Sequence, residues 1–360
     1  MKLPVAGALA ALFLAAPPTL RAQPPGAADK PPAPPSTASL IDSLSAAELD
    51  EVLTLLRDNF IKPEMLADLS LKRATVQGAI ARLAPGAAIL QAPAADVKTA
   101  SPFRSEVLDR RIGYARLGSA TPENVAQLDA ALAKFTEGKL RSLVLDLRAT
   151  PASSDVEQTA EVCRRFVPKG KVLFSVRKAN VKQEQVLTSK DDPKFRGIIA
   201  VLVDRDSAGT SEVIAAVLRT YVNAMVIGQQ TRGEAVEFAN FPLASGKLVR
   251  IAVAEVALPD KTTVFPGGVK PDLAVDVPSE TTEAVLKQGL EKGVSEMVFE
   301  VERVRMNEAA LVSGANPELD AAQAAQKSKA ERKVLLRDAV LQRAVDFITT
   351  LAIYEKAKPK

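Results

Sequence analysis

Nine residues, Asp204-Arg205-Asp206-Ser207-Ala208-Gly209-Thr210-Ser211-Glu212, lead from the apolar run Gly197–Val203 into a helical stretch from about Ser211 to Tyr221. A helix N-terminus offers free backbone N–H groups and a positive dipole end to a carboxylate or a developing oxyanion, and Ser207 and Ser211 bring hydroxyls. A hydroxyl attacks only when a base takes its proton. The chain has no histidine and one cysteine, which excludes Ser-His-Asp triads, Cys-His dyads and His-ligated zinc or haem. Ser211 with Glu212 would need a strongly buried glutamate, because an ordinary carboxylate with a pKa near 4.3 is a poor base. The plainer reading is that Thr210 or Ser211 caps the helix and Glu212 favours its dipole. Glu212, Glu234 and Glu237 could form a paired-carboxylate site only at a set separation and with one raised pKa. Asp204, Asp206 and Glu212 supply too few oxygens for calcium and no EF-hand pattern. Gly267-Gly268-Val269-Lys270-Pro271-Asp272 lacks the Gly-Lys-Ser/Thr order of a phosphate loop. No metal and no cofactor is expected.

The elements around this loop read as alternating strands and helices, the pattern of an α/β layer architecture. Buried strands are expected at Ile112–Leu117, Ser142–Leu147, Gly197–Val203 and Ala224–Ile227, and a longer strand at Val249–Leu258 with a partner near Val236–Phe241. Thr121-Pro122 starts a helix whose apolar face is Val125, Leu128, Leu132 and Phe135. Cys163 falls on the helical stripe Val156, Thr159, Ala160, Cys163, Phe166, so it reads as a small core residue. Upstream, the capping box Ser45–Glu48 leads into Leu49, Val52, Leu53, Leu56 and Phe60, and a second helical segment covers about Leu71 to Leu83. Residues 41–90 therefore read as a helical hairpin within an N-terminal helical region, 41–100. After the core, residues 101–278, the region 279–360 reads as a C-terminal helical extension ending in an amphipathic helix through Leu341, Val345, Phe347, Ile348 and Leu351. Its basic face is solvated or docks on a second copy of the chain, making a homodimer through the terminal helices.

Hydrophobic residues make up 47% of the 360 and charged residues 25%, with 24 Pro and 18 Gly, which fits a globular chain. Met1-Lys2 followed by the apolar run Leu3–Ala16 reads as a secretory signal over residues 1–22, and the 14-residue run is too short to span a bilayer. Secretion or periplasmic export without a stable membrane span is expected, an uncleaved anchor being the alternative. Residues 23–40 are Pro- and Ala-rich and read as an extended linker. The formal charge of +4 falls to +2 when Lys2 and Arg21 leave with the signal, so no nucleic-acid partner is expected.

Five blocks in chain order, YARLGSATPEN, SLVLDLRATP, VLVDRDSAGTSEVIAAVL, AMVIGQQTRGEAV and GGVKPDLAV, resemble the tail-specific (C-terminal processing) serine protease family. The resemblance covers about residues 42–278. It implies a crotonase-like α/β/α core with a Ser-Lys dyad, which needs no histidine. The family's nucleophilic serine stands three residues before the loop glutamate, a position held here by Gly209; the flanking Ser207 and Ser211 match serines that are not the nucleophile. The family's base lysine lies in a Gly-Lys-Gly turn matched by Thr231-Arg232-Gly233-Glu234-Ala235, so Glu234 holds the base position, at the family's interval of 25 residues. No lysine occurs between Lys194 and Lys247, and Arg232 stays protonated. The family's oxyanion turn Asp-Leu-Arg-Asn-x-Pro-Gly-Gly has Ala152 and Ser153 in place of its glycines. The peptide-gripping PDZ module that the family often carries has too little room between Gln91 and Asp109.

The sequence thus predicts an exported, catalytically silent relative that holds unstructured peptide or protein segments, with Thr210, Ser211, Glu212 and Arg232 as groove residues. An active serine-type peptidase using a displaced Ser207 or Ser211, and a structural dimerisation protein, are the alternative readings.

Overall fold

The computed structural model describes residues 41–59, 68–91, 101–148, 150–151, 155–178, 181–298 and 336–357. The expected signal, the Pro/Ala-rich linker and the Ala152-Ser153 turn lie outside the described residues. The chain divides into two compact units, one running to Ala74 and one starting at Thr75. The first holds α1 (Ala46–Asn59) and the opening of α2 (Asp68–Leu83). The capping box starts α1 as its residues require: the Ser45 N–H donates to the Glu48 carboxylate at 2.7 Å, and the Glu48 N–H donates to Ser45 Oγ at 3.3 Å.

The second unit contains two sheets. Its elements after α2 are β1 (Ala87–Gln91), β2 (Arg104–Leu108), β3 (Ile112–Arg116), α3 (Pro122–Glu137), β4 (Ser142–Asp146), α4 (Val156–Arg164), β5 (Val172–Lys178) and β6 (Gln185–Thr188). They continue with β7 (Ile198–Val203), α5 (Thr210–Val222), β8 (Met225–Gly228), β9 (Val236–Pro242), β10 (Lys247–Ala257), β11 (Leu273–Ala274), α6 (Ser279–Lys292) and α7 (Ala339–Ala357). One sheet has the order β11-β8-β7-β4-β3-β2, parallel except for β2. The other runs β1-β10-β5-β6, with β9 also paired to β10.

The parallel strands are continuous apolar runs because both faces are covered. Leu143, Leu145 and Leu147 point to a core shared with α3, α4, α5 and the second sheet, whereas Val144, Ala200, Leu202 and Ile227 meet Val340, Leu341, Ala344 and Ile348 of α7. Thr121 caps α3 as expected, its hydroxyl accepting from the Asn124 N–H at 3.3 Å, and Pro122 fills the first turn. Cys163 is fully buried on α4, and burial pushes its thiol up to about 12.

The helical hairpin over 41–90 needs correction. Ala87–Gln91 is a strand, antiparallel to β10 with Ala87 opposite Ile251 and Gln91 opposite Lys247, because this short apolar run completes an edge that the longer β10 leaves open. The C-terminal region is helical over α6 and α7, and residues 299–335 between them lie outside the described residues. Among the described residues, no helix is long and apolar enough to cross a membrane, and no group of three His, Cys, Asp or Glu side chains could hold a metal ion.

Candidate functional site

Strands β4, β7 and β8 end side by side, and the loops that leave their C-terminal ends meet there, the usual location of a site in a parallel sheet. The loop after β7 is folded on Asp204. One oxygen of its carboxylate, Oδ1, accepts from the N–H groups of Asp206 (3.0 Å) and Ser207 (2.8 Å) and from the Ser207 hydroxyl (2.9 Å). Ser207 Oγ in turn accepts from the Asp204 N–H at 3.0 Å. Burial pushes the Asp204 carboxyl above its ordinary pKa, the Ser207 hydroxyl opposing it. Ser207 is fully buried, and so is Ser211, whose hydroxyl is 3.3 Å from the Leu147 carbonyl and 3.4 Å from that of Thr150. Ser207 braces its own loop, and Ser211, at the start of the following helix, braces the segment after β4.

Gly209 is the residue from which α5 starts, with φ 56° and ψ −107°. It has no side chain to cap the helix, and the cap comes from Glu212. Thr210 and Ser211, expected as caps, lie inside the helix instead, because the chain turns one residue earlier. Glu212 is completely buried and ties two loops together. Its Oε2 accepts from the Gly209 N–H (2.9 Å) and the Glu234 N–H (2.8 Å); its Oε1 accepts from the Gly233 N–H (2.6 Å) and the Thr231 hydroxyl. The amides of Gly209 and Glu234 are therefore no more than about 6 Å apart. Burial raises the Glu212 pKa, with the Thr231 hydroxyl and the three amides pulling it back.

The turn carrying Glu234 rests on the loop that follows it in space. Thr231 N–H donates to the Val269 carbonyl (3.2 Å), and Val269 N–H donates to Thr231 Oγ1 (2.7 Å). A Cβ on Gly233 would come within 2.0 Å of the Pro266 carbonyl oxygen, and one on Gly268 within 2.4 Å of that of Thr231, so the two segments interlock through glycines with positive φ. Glu234 itself faces Arg250 at 3.7 Å and Arg232 at 3.9 Å, and the Arg250 guanidinium lies 3.6 Å above the Phe238 ring. Arg232 also pairs with Asp206 at 3.2 Å. Beside Gly209 is an apolar hollow lined by Val156, Phe174, Val176, Val213, Val236 and Val256, with Thr159 and Thr210 sharing a hydrogen bond of 3.2 Å at its wall. The outer edge of β9 has no strand partner among the described residues.

Of the expected groove residues, Arg232 is exposed, whereas Thr210, Ser211 and Glu212 are buried, Thr210 at the wall of the hollow and the other two in contacts within the protein. Their inward direction follows from α5 being buried over its first nine residues, with no outward face there. Glu212, Glu234 and Glu237 form no carboxylate pair: Glu212 is enclosed by donors, Glu234 pairs with arginines, and Glu237 pairs with Lys178 at 3.3 Å. Nothing in the sequence singles out Arg250 and Phe238, because an arginine in a strand carries no signal until its cross-strand neighbours are known.

Residues 111–275 match the model of peptidase family S41. A Staphylococcus aureus (strain N315) protein described as a "Probable CtpA-like serine protease" is 28% identical over 170 residues, 47% of this chain and 34% of that protein. A Bartonella bacilliformis carboxy-terminal-processing protease is 31% identical over 176 residues, 46% of this chain and 39% of that protein. The shared stretch thus spans little more than a third of these relatives. Among solved structures, a photosystem II D1 C-terminal processing protease overlaps with a TM-score of 0.42 at 22% identity, covering 55% of this chain and 58% of that one. With its mixed α/β fold and the motif blocks in order, the chain carries a domain of peptidase family S41.

Proposed function

We propose that this chain is an exported member of the tail-specific protease group that holds an extended polypeptide segment without cutting it. The observation that carries this reading is Gly209: the residue at the start of α5, beside the apolar hollow, has no side chain that could attack. The neighbouring hydroxyls do not replace it, since Ser207 is spent on Asp204 and Ser211 lies against two carbonyls, both fully out of solvent. No lysine is available at the base position, and Glu234 there faces two arginines. Holding a polypeptide is supported by the open edge of β9, which begins two residues after Glu234 and offers backbone groups to an added strand, and by the apolar walls of the hollow beside Gly209. Export rests on the apolar run near the N-terminus.

Purified chain is expected to bind fluorescein-labelled unstructured peptides, read by anisotropy, while mass spectrometry finds them intact after prolonged incubation. A fluorophosphonate probe should leave the protein unlabelled. Cleavage that increases with time and disappears in Ser207→Ala or Ser211→Ala would replace this reading by an active peptidase with a displaced nucleophile.

A further inference from the structure

Arg148, two residues past the end of β4, is buried with its guanidinium between two carboxylates. Nε and Nη2 donate to Asp146 at 3.0 and 2.7 Å, and Nη1 and Nη2 donate to Asp338 at 3.0 and 2.7 Å. Asp146 is held in turn by the Tyr114 hydroxyl at 2.8 Å and by the Arg148 N–H at 3.1 Å. Asp338 comes from the residue just before α7, 190 positions along the chain, and its Oδ1 also accepts the Leu341 N–H at 3.0 Å. On the opposite side, the carbonyls of Leu147 and Thr150 face the Ser211 hydroxyl of α5. The turn after β4 is therefore gripped twice, through a side chain toward α7 and through its main chain toward α5, two residues from Gly209.

A guanidinium stripped of water keeps its place only while its N–H groups are met; without Asp338 the charge of Arg148 is still balanced by Asp146, but the donors aimed at Asp338 are left unmet in a buried site, which drives local rearrangement. Asp146 satisfies one edge of Arg148 and ties it only within the sheet, to the end of its own strand and to Tyr114 of β3. Asp338 meets the other edge and belongs to a separate helix. We propose that Asp338 is a positioning residue: docking of α7 locks Arg148, Arg148 locks the backbone at Leu147 and Thr150, and the C-terminal helix thereby sets how well the neighbouring groove holds a polypeptide. The last link rests on the function proposed above; the first two do not.

In the full-length chain, Asp338→Asn weakens this latch and keeps the helix cap: the remaining oxygen can still accept the Leu341 N–H and Arg148 Nη1, whereas the amide opposes Nη2 and the negative charge is gone. Leu341→Ala is the control, removing buried packing from α7 without touching Arg148, and Asp338→Glu returns the charge. Native-state amide exchange, followed at equal intervals below each variant's Tm, should accelerate at least about tenfold for Leu147, Arg148, Thr150 and residues 207–212 in Asp338→Asn. It should stay near wild type in Leu341→Ala and partly recover in Asp338→Glu. Unchanged exchange in Asp338→Asn, or equal acceleration in Leu341→Ala, overturns the proposal. If Asp338→Asn does not fold, the same comparison is made between Asp338→Glu, expected to be intermediate, and Leu341→Ala. Titration with labelled unstructured peptide then tests the last link, an affinity loss of about tenfold in Asp338→Asn being expected. A wild-type chain that binds no peptide would refute the function proposed above and leave the exchange result standing.

Discussion

At Gly209 the backbone holds φ 56° and ψ −107°, a conformation that an L side chain enters at a penalty of about 1–3 kcal/mol. Gly209→Ala is expected to lower the unfolding free energy by that amount in urea titrations, and Gly209→Ser likewise. A serine here would store strain that the glycine has released. Glu212→Gln should be worse although it is nearly isosteric. Both carboxylate oxygens accept from donors, so an amide NH2 on either side would oppose two of them, at about 2–4 kcal/mol read by the same titration. The sequence made Gly209 and Glu234 legible through motif spacing, but it did not disclose the role of Glu212. A glutamate in the first turn of a helix looks like a dipole partner, and its donors Thr231, Gly233 and Glu234 lie 19 to 22 residues away on another loop.

The site is assembled by elements that meet only in three dimensions, and the clearest case is the interlock of the 231–234 turn with the 266–269 loop. Gly233→Ala drives a methyl group into the Pro266 carbonyl at a φ of +78°, and the Gly233 N–H that Glu212 accepts moves with it. A loss of about 2–4 kcal/mol is expected from this one methyl group, seen as a lowered urea midpoint with an unchanged m-value. Strands β4 and β7 were legible because burial on both faces leaves uninterrupted apolar runs. By contrast, β2 (RSEVL) alternates polar and apolar residues over only five positions, β5 ends in charged residues, and β1 follows a helical stretch whose composition masks it. Their strand character comes from the edges of β3 and β10 on which they pair.

For the whole molecule, the buried and half-buried carboxylates make opposing demands on pH. Burial works against ionisation at Asp129, Asp146 and Glu161, but ion pairs with Arg165 and Arg148 outweigh it and hold these groups low. Their stabilisation is present above the unfolded carboxyl pKa near 4 and is lost as pH falls through the folded values. Asp204 and Glu212 are pushed up by burial, so their contribution is whole below about pH 4 and is lost as pH rises through the raised values. Asp204→Asn keeps an acceptor for all three hydrogen bonds that land on Oδ1 and has no charge to desolvate. Its Tm relative to wild type should therefore climb between pH 4 and pH 8. The absence of histidine keeps that interval free of imidazole titration. Cys163, the single thiol of the chain, lies wholly inside α4's packed face and is protonated at any ordinary pH. A sulfhydryl dye can thus mark only molecules caught in the act of opening, and the pace of its incorporation in native buffer is expected to serve as a clock for global unfolding, slowed by any ligand that favours the closed state.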